Sequence, residues 1–206
     1  MMNVKSVKLP AVLEEGSEED LQDSVRAMAF SHITVGKDVF RKEWNEVVME
    51  DCNWMDGTME SVDFVDMEAV HCVFPTAKQE KCLARRVHIV RSKCMGWQWE
   101  ESSLQDVVFE DCNLSYGGFT SCKLSHVVFK NCKLANSVWY QNSLNDVTFI
   151  DCDLTNADFY MTKLKGADLS TCNLEGLRSD WASVEGIQIH LSQCEQFCRM
   201  MGFTVK

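Results

Sequence analysis

A five-residue pattern recurs between residues 110 and 174. Residues 110–114 read EDCNL, 130–134 read KNCKL, 150–154 read IDCDL and 170–174 read STCNL. The units SYGGF, SHVVF, NDVTF and TNADF lie between them, so that a large apolar residue ends each unit and a small or β-branched residue stands two positions earlier. A period of five matches neither a helix nor a flat strand. The pattern instead predicts a chain that turns a corner every five residues.

A coil with four such sides returns to the same side every 20 residues. One column at this spacing reads Cys52, Cys72, Ser92, Cys112, Cys132, Cys152 and Cys172, and another reads Val47, Met67, Val87, Val107, Val127, Val147, Ala167 and Ile187. The frame holds from about Val47 to Ile189 without a net insertion. The sequence therefore predicts an all-β solenoid of about seven 20-residue coils.

Two segments carry a family resemblance. Residues 154–159 (LTNADF) and 164–174 (LKGADLSTCNL) resemble the A(D/N)Lxx pattern of the pentapeptide-repeat proteins. The resemblance implies a right-handed quadrilateral β-helix over the repeats. It is less specific for function, because one fold hosts many functions.

The regions outside the repeats are predicted to be helical. Ser17 and Asp20 have the spacing of a capping box, which predicts a short helix through about Met28 within an N-terminal extension, 1–33. This extension would cap the solenoid, 34–189, because uncovered strand edges invite aggregation; the alternative is an arm that binds a partner. A second helix is predicted from Ser192 to Met201, within a C-terminal segment, 190–206.

The coil that begins at Pro75 departs from the pattern. Gln79 and Ala84 replace large apolar residues, and basic residues cluster between Lys78 and Lys93. Proline cannot donate to a strand ladder, so one prediction is a loop or bulge over 75–86 and the other is a locally weak coil. In family members that act on type II topoisomerases, such loops matter for activity. The resemblance would assign that role to Thr76, Lys78, Lys81, Arg85 and Arg86.

The cysteines and the absence of catalytic motifs argue against enzymatic activity. The inward position of most of the eleven cysteines predicts buried, reduced thiols, since the parallel Cβ vectors of stacked coils suit disulfides poorly. We find no phosphate loop, no nucleophile motif and no zinc-type spacing, so we expect no enzyme, no cofactor and no metal. Without a signal peptide or a long apolar run, we expect a cytoplasmic protein without membrane contact.

Acidic residues fall into two neighbouring columns. The first corner column contains Glu46, Asp66, Asp106 and Asp146, interrupted by Arg86 and His126; the second corner column contains Glu50, Asp51, Glu110, Asp111 and Asp151. A net charge of −11 disfavours direct binding to nucleic acid. In the family, paired acidic stripes are understood to imitate DNA and to bind DNA gyrase and topoisomerase IV. The resemblance thus implies protection of a topoisomerase from quinolone or peptide poisons; the alternative is a scaffold for an unrelated protein partner.

The C-terminal residues RMMGFTVK also resemble the tail of Qnr-type quinolone-resistance and microcin self-immunity proteins. In that group the tail forms a head-on homodimer. The resemblance would place Phe197, Met200, Met201, Phe203 and Val205 at the interface. An intramolecular cap over the last coil would use the same residues.

Overall fold

The chain turns its corners at residues with positive φ. In the computed structural model, which describes residues 4–55 and 57–206, most coils carry such a residue every fifth position, with φ close to +50 to +60°, as at Asp66, Asp111, His126 and Asn131. Asp, Asn and His tolerate this left-handed conformation better than most other residues. The five-residue period therefore has a backbone cause, one corner for each unit.

Strands connect or span these corners from residue 14 to residue 150. In chain order the strands are β1 (Glu14–Glu15), β2 (Val25–Ser31), β3 (Thr34–Val35), β4 (Val39–Phe40), β5 (Glu43–Glu50), β6 (Asn53–Trp54), β7 (Thr58–Glu60), β8 (Asp63–Val70), β9 (Lys78–Glu80), β10 (Leu83–Val90), β11 (Gln98–Glu100), β12 (Ser103–Glu110), β13 (Gly118–Thr120), β14 (Lys123–Lys130), β15 (Val138–Tyr140) and β16 (Ser143–Ile150). Two short α-helices follow, α1 (Trp181–Val184) and α2 (Cys194–Met200).

The strands build a parallel solenoid with four sides. The sheet β1-β2-β5-β8-β10-β12-β14-β16 bends at the positive-φ residues within its long strands and so covers two sides. The sheet β15-β13-β11-β9-β7-β4 forms the third side. The pair β3-β6 and a series of isolated bridges from Asn53 to Asn173 form the fourth. The seven strands from β2 to β16 in the first sheet define about six turns, which confirms the predicted solenoid.

Side chains stack along the axis of the coil. The rings of Phe109, Phe129 and Phe149 lie parallel, with centroids 4.9 and 5.2 Å apart. These distances match the spacing of about 4.8 Å between neighbouring strands. The core is thus a column in which each coil buries its apolar residues against the coils above and below.

The cysteines are free thiols, as predicted, and nine of the eleven are buried. The Cys132 thiol lies 3.4 Å from the carbonyl oxygen of Phe109, in the preceding coil, and donates to it. Ser102 occupies an equivalent inward position and donates to the Glu100 carbonyl at 2.7 Å. Burial raises the pKa of Cys82 and of Cys122 to about 11. These thiols are therefore structural donors within the core.

The predicted N-terminal helix is wrong. Ser17 does bond to the Asp20 carboxylate, at 2.8 and 2.7 Å, but only a single 3-10 turn follows, over Asp20–Gln22. Residues from Val25 form β2, which pairs with β5 and so adds a coil before residue 34. Val25 lies opposite Trp44, a separation of 19 residues. This first coil is one residue short, which is why a strict 20-residue frame did not include it.

The predicted projecting loop over 75–86 is also wrong. Residues 78–80 form β9 and residues 83–90 form β10, both in register with the coils on either side. Of the loop candidates Thr76, Lys78, Lys81, Arg85 and Arg86, the residues Thr76, Lys81 and Arg86 occupy positive-φ corners, while Lys78 and Arg85 lie in strands. The segment is a regular coil with unusual side chains.

The C-terminal helix is present but begins differently from the prediction. A 3-10 turn over Leu191–Gln193 precedes α2, and its N-cap is His190 rather than Ser192. Gly202, at φ +84°, follows the end of the helix. The buried amide of Gln193 donates to the carbonyls of Leu169 and Cys172 at 2.9 and 2.6 Å. The segment therefore caps the C-terminal coils and donates to their carbonyl groups.

Candidate functional site

The first corner column combines acidic side chains with basic neighbours. Arg26 lies 3.1 Å from Glu46, and the Arg86 guanidinium binds both carboxylate oxygens of Asp66. His126 lies 3.6 Å from a carboxylate oxygen of Asp106 and 3.6 Å from one of Asp146. Most of these carboxylates therefore face a basic group one coil away. This corner therefore carries no continuous negative stripe, in keeping with the interruptions at Arg86 and His126 in the sequence.

Two carboxylates of this column are buried although they stand at a corner. Asp66 is 5% exposed and Asp106 is 2% exposed. The backbone amide of Lys8 donates to Asp66 at 2.9 Å, and that of Lys5 donates to Asp106 at 3.2 Å. The segment 4–13, which we call the N-terminal arm, thus crosses this corner before the chain enters β1.

The arm and the neighbouring arginine set the charge state of Asp66. Burial alone would raise the pKa of this carboxyl group. The hydrogen bonds from Arg86 and from the Lys8 amide outweigh burial, so the pKa lies below its ordinary value. Asp66 therefore stays ionised at neutral pH and accepts from both donors.

The second corner column remains accessible. Asp51, Asp111 and Asp151 are exposed, as is Glu50, whereas Glu110 is half-buried. Asp111 accepts a hydrogen bond from the Asn131 side chain at 2.6 Å. The carboxylates of the second corner column therefore lie along one corner, and most of them are exposed to solvent.

Basic side chains lie next to some carboxylates of the second corner column. Lys130 donates to Glu110 at 2.6 Å, and this hydrogen bond holds the pKa of Glu110 below its ordinary value. His32 and His71 lie 3.9 and 3.8 Å from the Asp51 carboxylate. The column therefore combines exposed carboxylates at Asp111 and Asp151 with carboxylates that lie beside a basic side chain, at Asp51 and Glu110.

One group of metal-type ligands lies at the same corner. Within residues 4–55 and 57–206, one nitrogen or oxygen atom from each of Glu50, Asp51 and His71 lies within 4.8 Å of the others. All three side chains are exposed. Such an open group holds a cation weakly, because water competes for each ligand position.

Two lysines of the basic cluster between Lys78 and Lys93, which we call the basic belt, pair with acidic neighbours. Lys78 lies 2.9 Å from Glu100 and 3.3 Å from Glu80, and Lys81 lies 2.9 Å from Glu80. These hydrogen bonds raise the pKa of both lysines. The belt therefore neutralises nearby carboxylates on other sides of the coil.

The repeats match a known protein family. The pentapeptide repeat region model matches residues 70–139 and 122–196, which together make up more than half of the chain. The chain belongs to the pentapeptide-repeat family. No curated protein matches it. Within the described ranges, no helix of this pentapeptide-repeat protein is long and apolar enough to cross a membrane.

Solved structures of other pentapeptide-repeat proteins are similar in outline. A trypsin-treated form of QnrB1, a plasmid-mediated fluoroquinolone resistance protein, is 16% identical with a TM-score of 0.44, and the match covers 86% of this chain and 98% of that one. HetL, a pentapeptide-repeat protein involved in heterocyst differentiation regulation in the cyanobacterium Nostoc, is 10% identical with a TM-score of 0.27. That match covers 76% of this chain and 84% of HetL.

The residues predicted to form a dimer interface divide into two groups. Phe197, Met200 and Met201 are half-buried, and Met200 packs against the core. Phe203 and Val205 are exposed, beyond the end of α2. The cap therefore accounts for Met200, while the two tail residues remain available to another molecule.

The N-terminal arm is the feature that the sequence did not reveal. Its two lysines stand out in an acidic chain, which is a weak signal of an electrostatic contact. The hydrogen bonds, however, come from the backbone amides of Lys5 and Lys8. A main-chain donor leaves no trace in the side-chain pattern.

Proposed function

We propose that this pentapeptide-repeat protein is a non-enzymatic binding protein that protects a type II topoisomerase, DNA gyrase or topoisomerase IV, from quinolone or peptide poisons. The contact would be the second corner column, in the role of a partial DNA mimic. The observation that carries the proposal is the exposure of Glu50, Asp51, Asp111 and Asp151 along one corner. A protein groove built for duplex DNA is lined by Lys and Arg and would attract such a column.

The magnitude of the charge limits how closely the rod imitates DNA. About six turns at about 4.8 Å each give a rod of roughly 29 Å. A net charge of −11 then amounts to one negative charge per roughly 3 Å, against about 1.7 Å for duplex DNA. We therefore expect the protein to occupy the enzyme when DNA is absent and to yield to DNA when it binds.

The test is supercoiling by purified gyrase in the presence of ciprofloxacin, with and without the protein. We expect the protein to preserve supercoiling and the variant Asp111→Lys with Asp151→Lys to lose at least tenfold in protective potency. Lys81 and Arg91 already occupy equivalent positive-φ corners, so lysine fits there.

The matched control is Glu101→Lys with Glu175→Lys. It changes the net charge equally at exposed residues away from the second corner column, and it should keep the protection. Equal loss in both variants would mean that only net charge matters. If the wild-type chain neither binds gyrase nor protects it at micromolar concentration, the topoisomerase role fails. The alternative, a scaffold for an unrelated partner, would then stand.

The exposed tail supports a homodimer as part of the same proposal. Phe203 is 62% exposed and Val205 is 39% exposed, next to the half-buried Phe197. Light scattering should give a dimer for the wild-type chain and a monomer for Phe203→Asp. If the wild-type chain is a monomer over a 100-fold range of protein concentration, the dimer is refuted.

A further inference from the structure

The arm contacts the first corner column with a regular spacing. Lys5 and Lys8 are three residues apart, and their acceptors Asp106 and Asp66 are two coils apart. Three residues of a polyproline II segment advance about 9.3 Å, and two coils advance about 9.6 Å. The two spacings coincide.

The direction of the amides also favours this conformation. Successive groups in a flat strand alternate sides, so the amides of residues i and i+3 would point in opposite directions. A polyproline II segment has three residues per turn, which brings both amides to the same side. Residues 4–10 have no regular secondary structure, and Pro10 follows the second contact, as suits such a segment.

The acceptors continue beyond the two contacts made by Lys5 and Lys8. Asp146 lies two coils further along the same column from Asp106, and its side chain is 67% exposed. Asp66, Asp106 and Asp146 are therefore three carboxylates at a constant interval of two coils. Extended by another three residues, a segment with the geometry of the arm would bring a third amide to the level of Asp146.

We propose that the first corner column is a binding site for an extended basic peptide segment of a partner protein, and that the N-terminal arm occupies this site in cis. The partner segment would present a backbone amide at every third residue to Asp66, Asp106 and Asp146. Lysines in the partner segment, like Lys5 and Lys8 of the arm, would strengthen its binding to this acidic protein. Because arm and partner need the same carboxylates, the partner binds only as the arm leaves. This site is separate from the second corner column and does not depend on the topoisomerase role.

The experiment uses the full chain and a fluorescent peptide with the sequence of residues 1–13. The variant Lys5→Pro with Lys8→Pro removes both amide donors of the arm, while proline keeps the polyproline II conformation. We expect the labelled peptide to bind this variant at least tenfold more tightly than the wild-type chain, by fluorescence anisotropy. A peptide carrying the same two prolines should bind neither protein.

Substitutions in the column identify the site. The variant Lys5→Pro with Lys8→Pro is the arm-released chain. Adding Asp106→Asn to it should weaken peptide binding at least tenfold, and asparagine suits the positive-φ corner. Asp111→Asn, at the next corner, should leave binding unchanged. The proposal is overturned by equal affinity for the wild-type and arm-released chains, by no binding to either at millimolar peptide, or by binding that ignores Asp106→Asn.

Discussion

The indole ring of Trp97 stacks on the phenyl ring of Phe74, with the centroids 5.0 Å apart and the planes 8° from parallel. Trp97 stands at an inward position where the coils on either side have Ala77 and Gly117. Cys94, three residues earlier, stands where those coils have Phe74 and Leu114. Within one coil the large and the small side chain have exchanged places.

This exchange predicts that substitutions at positions 94 and 97 have non-additive effects on the free energy of unfolding. We expect Trp97→Ala to lower the free energy of unfolding by about 3–5 kcal/mol, because it empties a buried position. Adding Cys94→Leu should restore part of the loss by returning volume to the normal place. Denaturation of the two single variants and the double variant gives the coupling energy. Trp181→Ala, at an exposed indole, serves as control, and strictly additive effects at 94 and 97 would contradict the exchange.

A second prediction concerns Gln79. Its side chain is fully buried, in a column between Met59 and Trp99, and neither amide atom has a hydrogen-bond partner. An unpaired buried amide costs about 1–3 kcal/mol. Gln79→Met should therefore raise the free energy of unfolding by about that amount, measured by chemical denaturation.

The control for Gln79 is Gln98→Met. The Gln98 amide donates to the Gly96 carbonyl at 3.0 Å, so its replacement should bring no gain. A destabilised Gln79→Met chain would mean that the glutamine has a partner in solution, such as a trapped water molecule.

The repeats were predictable because the core imposes a size on every inward side chain. The corner at Asp111, the thiol of Cys132 and the stack at Phe129 all follow from one period. The first coil escaped prediction because it has 19 residues and shifts Val25 out of the frame. Local size alone also could not show that Trp97 and Cys94 compensate each other.

The candidate site was predictable only in part. The frame placed the carboxylates in two columns, but it could not distinguish the exposed Asp111 from the buried Asp66. That difference depends on the arm, which bonds across 58 and 101 residues through its backbone. Such contacts carry no periodic signal.

A third prediction concerns the loss of stability at low pH. Because the folded pKa of Asp66 is lowered, its contribution to stability is present above the unfolded value of about 3.9 and is lost as the pH falls through the folded pKa. The melting temperature of the wild-type chain should therefore drop more steeply below about pH 4 than that of Asp66→Asn. Asp146→Asn, which removes an exposed carboxylate of the same column, should follow the wild type. Parallel curves for the wild type and Asp66→Asn would contradict the assignment.

The last prediction concerns the thiols. Only the thiolate is nucleophilic, and burial raises the pKa of Cys82 and Cys122 to about 11 while also excluding the reagent. Cys194 is exposed and Cys198 is half-exposed, so iodoacetamide at pH 8 should label these two in the native protein. After denaturation it should label all eleven cysteines, as counted by mass spectrometry. Removing the two reactive thiols with Cys194→Ser and Cys198→Ser should leave a native protein that takes up no label within the same period. Native labelling of Cys82 at the rate of Cys194 would show that the coils open frequently, and the thiols would then be reactive groups rather than buried donors.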